Sequence, residues 1–136
     1  MNFIDTNLVV YANDRRDPVK QQCALELIRR EAEDRTGVIS IQVLQEYANA
    51  ALNKLGQQSA MVLRQLALLE MLLVVCPDPP MVRRAVELKS LYQLSFWDAS
   101  ILASAESAGC RILYSEDLNV DQVYGTIRVI NPFLTS

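Results

Sequence analysis

The chain reads as a three-layer α/β fold, a central and mostly parallel sheet flanked by helices, on three observations. Short β-branched or aliphatic runs recur along it, and segments of helical periodicity lie between them. The apolar residues within each run are consecutive and do not alternate, as in parallel strands covered on both faces. Strands alternating with helices in this way call for right-handed crossovers.

The first run is Asn2-Phe3-Ile4-Asp5, followed by a short helix from Leu8. Pro18 opens a helix to about Glu33; proline is tolerated there because its missing N–H would have no helical partner. Gly37-Val38-Ile39-Ser40 is the second strand, and the Ser40 side chain caps the next helix. In that helix Val43, Leu44, Tyr47, Ala48, Ala51, Leu52 and Leu55 form one apolar stripe, with Gly56 as the stop. A further helix covers about Ser59 to Met71, ahead of the strand Leu73-Val74-Val75-Cys76. Asp78-Pro79-Pro80 breaks the chain and starts another helix. The last helix begins near Phe96 and ends at Gly109, and the strands Arg111-Ile112-Leu113-Tyr114 and Ile127-Arg128-Val129-Ile130 follow.

At 136 residues, one domain over 1–136 is expected, and a chain of this size buries roughly two thirds of its unfolded surface. With 51% hydrophobic and 21% charged residues the balance is that of a soluble globular protein. The longest apolar stretch, Leu66 to Cys76, is interrupted by Glu70 and falls short of the ~20 residues of a membrane helix. Asp5 arrives before any basic segment and apolar core, which predicts no secretory signal. Cys23, Cys76 and Cys110 are odd in number, widely spaced and in apolar surroundings. They read as reduced, buried thiols of a cytoplasmic protein.

The chain has no histidine. That removes Ser-His-Asp chemistry, imidazole bases and histidine-dependent zinc sites, and if the protein is an enzyme, carboxylates and a metal-bound water are the expected working parts. The net charge of −3 runs against binding a polyanion. Setting four carboxylates aside for a metal site leaves +1 for the remaining surface.

In an open parallel sheet, ligands bind beyond the carboxyl ends of the strands where strand order reverses. Asp5 ends the first strand and Asp117 follows the fourth by a few residues, so the two meet if those strands are neighbours. Asp98 falls in the first turn of the last helix, and Glu46 early in the helix capped by Ser40. Each has an ordinary alternative. Asp98 with Ser95 makes a capping box and suits the helix dipole. Glu46 shares the polar side of its helix with Gln42, Asn49 and Asn53, a solvated face. Asp117, beside Glu116, is equally a turn residue. Asp5 serves as an N-cap, although an ionisable group on a buried strand is costly unless paired or metal-bound.

Taken in order, Asp5, Glu46, Asp98 and Asp117 resemble the acids of PIN-domain ribonucleases, most closely the VapC-type toxins of type II toxin–antitoxin pairs. The likeness runs the whole length. Phe3-Ile4-Asp5-Thr6-Asn7 resembles the opening strand motif, Gln45-Glu46-Tyr47 the second acid, and Trp97-Asp98-Ala99-Ser100 with Ile101-Leu102-Ala103 the third. Tyr114-Ser115-Glu116-Asp117-Leu118 resembles the fourth, and Val129-Ile130-Asn131-Pro132-Phe133 a common ending. The resemblance implies a PIN-like fold and a divalent cation shared by those four acids. It also implies hydrolysis of RNA phosphodiester bonds by a metal-activated water, a cognate antitoxin and a homodimer. Oxygen donors without Cys or His select Mg²⁺ or Mn²⁺. Many relatives carry another acid just after the fourth motif, where this chain has Asn119, with Asp121 slightly later. The parts played by Glu116, Asn119 and Asp121, and the choice between one metal and two, stay open.

Asn7 and Ser115 read as supporting groups near the metal or the substrate, or as turn-formers. Arg15 and Arg16 are candidates for the RNA backbone, or a solvated turn offset by Asp14 and Asp17. Trp97, beside Asp98, either stacks a base or joins Phe96 in the core. Leu66, Leu69 and Met71 are expected in the core, with an interface as the alternative. Two other functions compete. One is a haloacid-dehalogenase-type phosphohydrolase with Asp5 as nucleophile, although its second aspartate is here Asn7 and no matching lysine strand is evident. The other is a catalytically silent PIN-fold binding partner.

Overall fold

The computed structural model describes residues 1–134, so the last two residues of the expected 1–136 unit lie outside the described residues. Phe3 and Ile4 have no exposed surface, and their strand, β1 (Asn2–Ile4), is the inner strand from which the sheet grows both ways. On one side lie β2 (Gly37–Ser40) and β3 (Leu73–Val75); on the other lie β4 (Ile112–Tyr114), β6 (Ile127–Ile130) and β5 (Val123–Tyr124). The order is β3-β2-β1-β4-β6-β5, parallel throughout except for the β5–β6 hairpin. Asn2 stands opposite both Gly37 and Ile112, and Ile4 opposite Tyr114. The chain therefore reverses its winding at β1, and the carboxyl ends of β1 and β4 open side by side. The Asp5 amide continues the ladder, donating to the Tyr114 carbonyl at 3.0 Å.

The helices are α1 (Thr6–Ala12), α2 (Pro18–Glu33), α3 (Ile41–Asn53), α4 (Ser59–Leu69), α5 (Pro79–Tyr92) and α6 (Phe96–Ser107). Side chains cap the first turns of all of them but α4, as the capping residues lead one to expect. Ser40 accepts from Val43 N at 3.3 Å, Asp78 from Met81 N at 2.9 Å and Ser95 from Asp98 N at 3.1 Å. α1 packs on α2 and α3, and α5 on α6, with the sheet between them as the middle layer. Among the described residues no helix is long and apolar enough to cross a membrane.

The structure departs from the sequence reading at the sheet's edges. β5 has two residues, too few to show any period. α1 starts at Thr6, two residues before Leu8, and α4 ends at Leu69, two before Met71. Leu69 is buried and Leu66 half-buried, but Met71 is 79% exposed beyond the helix end. Of the cysteines only Cys110 is buried, and burial pushes its thiol up to about 11. Cys23 is half-buried, and Cys76 is exposed because β3 is an edge strand and the chain leaves the sheet there.

Candidate metal centre

Asp5 follows β1 and is only 5% exposed. Its carboxylate is held at both oxygens: Ser115 Oγ donates to Oδ2 at 2.7 Å, and Thr6 N donates to Oδ1 at 2.7 Å. It thereby caps α1 and at the same time faces the opening between β1 and β4. Burial drives its pKa up to about 7. Ser115 and Thr6 oppose that rise, while the Asp117 and Asp98 carboxylates add to it.

Asp117 enters on the loop after β4, where its amide donates to Ser115 Oγ at 3.1 Å. Its pKa is raised by partial burial and by the charges of Asp98 and Glu116. Asn7 offsets part of that rise, although its amide makes no hydrogen bond of regular geometry. Asp98 sits in the first turn of α6, its amide on the Ser95 cap. Glu46 projects from α3 and accepts from Thr6 Oγ1 at 2.7 Å. All four acids line one cleft of about 480 Å³.

Asn7 and Gln42 line the same cleft, and the Asn7 amide oxygen and nitrogen and Gln42 Oε1 are buried there without a hydrogen-bond partner. Buried polar atoms left unpaired in a folded chain mark a place for a ligand or ordered water. Among the described residues no three Asp, Glu, Cys or His side chains form a closed metal cage. Like charges without a counterion repel, and that repulsion adds to burial in raising the Asp5 pKa, through Asp117 and Asp98, and the Asp117 pKa, through Asp98 and Glu116. Hard oxygen donors, backed by unpaired amides and without histidine or cysteine in the cleft, fit a hard divalent cation.

The remaining candidates divide. Arg16 lines the cleft, but its guanidinium is forked onto Asp14, with Nε–Oδ1 and Nη2–Oδ2 both at 2.9 Å. That fork and the Arg16 amide bring the Asp14 pKa down to about 2. Arg15 is exposed and lines an adjoining hollow, not the cleft. Asp17 caps α2 through Lys20 N. Glu116 also lines the cleft, but its carboxylate is held by Tyr11 Oη at 2.6 Å and Lys20 Nζ at 2.7 Å. Burial raises its pKa, but those two partners outweigh the effect and lower it overall. Asn119 and Asp121 are exposed and lie outside the cleft, Asn119 bonding to Gln122.

Thr6, Gln42 and Lys54 are among the cleft residues to which the sequence assigns no role at this site. Thr6 lies inside the Asp-Thr-Asn motif and joins the Asp5 and Glu46 carboxylates. Gln42 and Lys54 lie one turn before and two turns after Glu46, a helical spacing that puts them on its face. Trp97, left open between core and cleft, lines the cleft and is 62% exposed.

Several solved structures share this arrangement of the chain. One is a toxin–antitoxin complex from Klebsiella pneumoniae, 20% identical with a TM-score of 0.70, covering 97% of this chain and 98% of that one. Another is Mycobacterium tuberculosis VapC20, described as a sarcin–ricin loop cleaving toxin, at 20% identity, TM-score 0.68 and coverage of 86% and 90%. A third is VapBC2 from Rickettsia felis bound to a DNA fragment from its promoter, at 16% identity, TM-score 0.71 and coverage of 94% and 96%. At such identities the likeness is one of fold. No curated protein matches by sequence. The PIN domain family model, however, matches residues 3–125, which takes in all four acids and the sheet from Phe3 through β5 but not β6, and the chain belongs to the PIN-domain family.

Proposed function

We propose that this protein is a Mg²⁺- or Mn²⁺-dependent endoribonuclease of the VapC type, the toxin of a toxin–antitoxin pair. One observation carries the reading. Asp5, Asp98 and Asp117, delivered by three separate elements, line the cleft that Glu46 also lines, and the charges of Asp98 and Asp117 oppose ionisation of the buried Asp5. Asp5, Glu46, Asp98 and Asp117 are the residues to hold the cation. When bound, it supplies a water acidic enough to attack near neutral pH and positive charge for the phosphoryl oxygens. Ser115 and Thr6 fix the Asp5 and Glu46 carboxylates in advance, so that little reorganisation accompanies the reaction. Asn7 is the group to orient the scissile phosphate or the attacking water, a role supported by its buried amide without a hydrogen-bond partner. Arg16 on the cleft wall and Arg15 in the next hollow offer guanidinium groups to the RNA backbone. Attack by water needs no covalent link to the protein.

The partner reading rests on the fold likeness to toxin–antitoxin complexes and on an apolar groove between α1, α2 and α4. Leu25, Leu68, Met71 and Leu73 are exposed along it, an amount of uncovered apolar surface that calls for a protein partner. An antitoxin and a second copy of the chain are the partners proposed, in the cytoplasm, with 1–136 acting as one unit.

The test is cleavage of RNA by the purified protein with Mg²⁺ or Mn²⁺, with chelator, and with Asp5→Asn in place of the wild type. Cleavage that needs the cation and vanishes in a folded Asp5→Asn protein supports the reading; equal cleavage by both proteins rejects Asp5 as a ligand. In cells, expression without the antitoxin slows growth and Asp98→Asn relieves it. Undiminished toxicity of that variant contradicts the scheme.

A further inference from the structure

We propose that Trp97 is a platform on which this site stacks a nucleobase, so that its substrate is an unpaired RNA strand laid along one face of α3. The proposal rests on the nuclease reading above and deepens it. Gln42, Glu46, Ala50 and Lys54 recur every fourth residue and all line the cleft, forming one continuous face of about 18 Å. Gln42 Nε2 donates to the Trp97 carbonyl at 3.2 Å, which ties Trp97 to the start of that face. Lys54, the C-cap residue of α3, stands at the other end near Asp14 and its partner Arg16. The acids lie between.

The indole has the bearing of a binding surface. Phe96 is half-buried and meets it edge to face, with ring centroids 5.1 Å apart and planes at 83°. Phe96 thus anchors a ring that otherwise projects into a cleft walled by carboxylates. A large apolar π-surface left uncovered beside Asp98 is unfavourable in water and is relieved by a flat partner. Bases offer such faces only when unpaired, since a duplex buries them in its own stack. A base on Trp97 leaves its neighbouring phosphate over the acids and the following ones toward Lys54 and Arg16.

Trp97 is the single tryptophan of the chain, so its emission reports this position alone. The experiment uses Asp5→Asn protein in Mg²⁺, which is expected to bind without cutting. The probes are a short unstructured RNA, the same RNA in a duplex and an abasic ribose-phosphate strand, with binding followed independently by anisotropy of a dye on each probe. The unpaired RNA is expected to quench Trp97, and the abasic strand to bind without quenching. Trp97→Ala is expected to weaken binding of the unpaired RNA by about 5- to 150-fold, the range for one stacked base. Trp97→Tyr should stay within a few-fold, and both variants should melt as the parent does. Binding with unchanged emission, equal quenching by the duplex, or undiminished affinity in Trp97→Ala overturns the proposal. If wild-type protein still cleaves RNA with Mn²⁺ in those cases, the nuclease reading survives without it; if it neither binds nor cleaves RNA, both fall.

Discussion

Ser115 Oγ lies 2.7 Å from Asp5 Oδ2, donating to it across 110 residues of sequence, and the same oxygen accepts the Asp117 amide at 3.1 Å. One hydroxyl at the adjoining ends of β1 and β4 therefore sets two of the four acids. Ser115→Ala removes a donor that favours the ionised form of Asp5 in a buried setting, so a cation must overcome a larger penalty. Mn²⁺ affinity should fall about 10- to 100-fold, the usual cost of losing a group that orients a ligand. Ser115→Thr, which keeps the hydroxyl, should recover most of it. Calorimetric titration reads both, and wild-type affinity in Ser115→Ala would make the hydroxyl a turn-former only.

The pH dependence of stability follows from Asp5. Burial first, then Asp117 and Asp98, carry its pKa from 3.8 to about 7 despite Ser115 and Thr6. Between those values the folded chain holds a proton that the unfolded chain releases. The contribution is thus fully present below 3.8 and is lost as pH rises through about 7. Without metal the protein should lose on the order of 4 kcal/mol from this group across that window. Asp5→Asn should flatten the loss, and Mn²⁺ should reverse it by binding the ionised form. Melting curves at about pH 5 and about pH 8, with chelator and with Mn²⁺, decide the matter. A metal-free wild type that tracks Asp5→Asn across both would contradict it.

What the chain discloses in advance depends on where a residue stands. Asp5, Asp98 and Asp117 lie where the chain leaves or enters a regular element, and strand ends and helix starts are legible from runs and caps. That β1 neighbours β4 is only a condition in the sequence reading, and the structure supplies it in the register of Phe3 with Leu113. Thr6 was passed over because a threonine between Asp5 and Asn7 serves a turn equally well. Its bond to Glu46 exists only once α1 and α3 are packed. A helical wheel gives Gln42, Glu46 and Lys54 one face but not what lies over it. Trp97 is of the same kind: its place in the first turn of α6 is readable, but its exposure depends on how that helix meets α3. Met71 and Cys76 look like core because hydrophobicity does not mark which strand is at the edge.

Lys20 and Glu116 offer a test of how the loop carrying Asp117 is held. Lys20 Nζ pairs with Glu116 at 2.7 Å and lies over the rings of Tyr11 and Phe133, at 4.6 and 5.1 Å from their centroids. The pair is largely shielded, which makes it more than a loose surface contact. A double-mutant cycle with Lys20→Met and Glu116→Gln should give a coupling of about 1 kcal/mol by denaturant unfolding. Both single variants should retain cation-dependent cleavage, because neither group is a proposed ligand. A coupling near zero would leave Tyr11 as the tether, and loss of Mn²⁺ binding in Glu116→Gln would bring Glu116 into the metal set.

Lys54 is the cleft cation whose removal isolates the backbone contact. Among the described residues it makes no ion pair at contact distance, whereas Arg16 is committed to Asp14. A cation that meets one phosphate of a single strand releases its share of condensed counterions, so its removal lowers the salt slope of binding by roughly 0.7. Lys54→Gln should do this and weaken all unpaired RNAs alike. Arg16→Gln should weaken binding further, because it also releases the Asp14 carboxylate, now held at about 2, as an uncompensated negative charge on the strand's path. Arg15→Gln, altering the neighbouring hollow alone, should have the smallest effect. Anisotropy titrations of each variant across a range of salt separate the three. A slope unchanged in Lys54→Gln would take the strand off the far end of α3, and a slope altered most by Arg15→Gln would route it through the hollow instead.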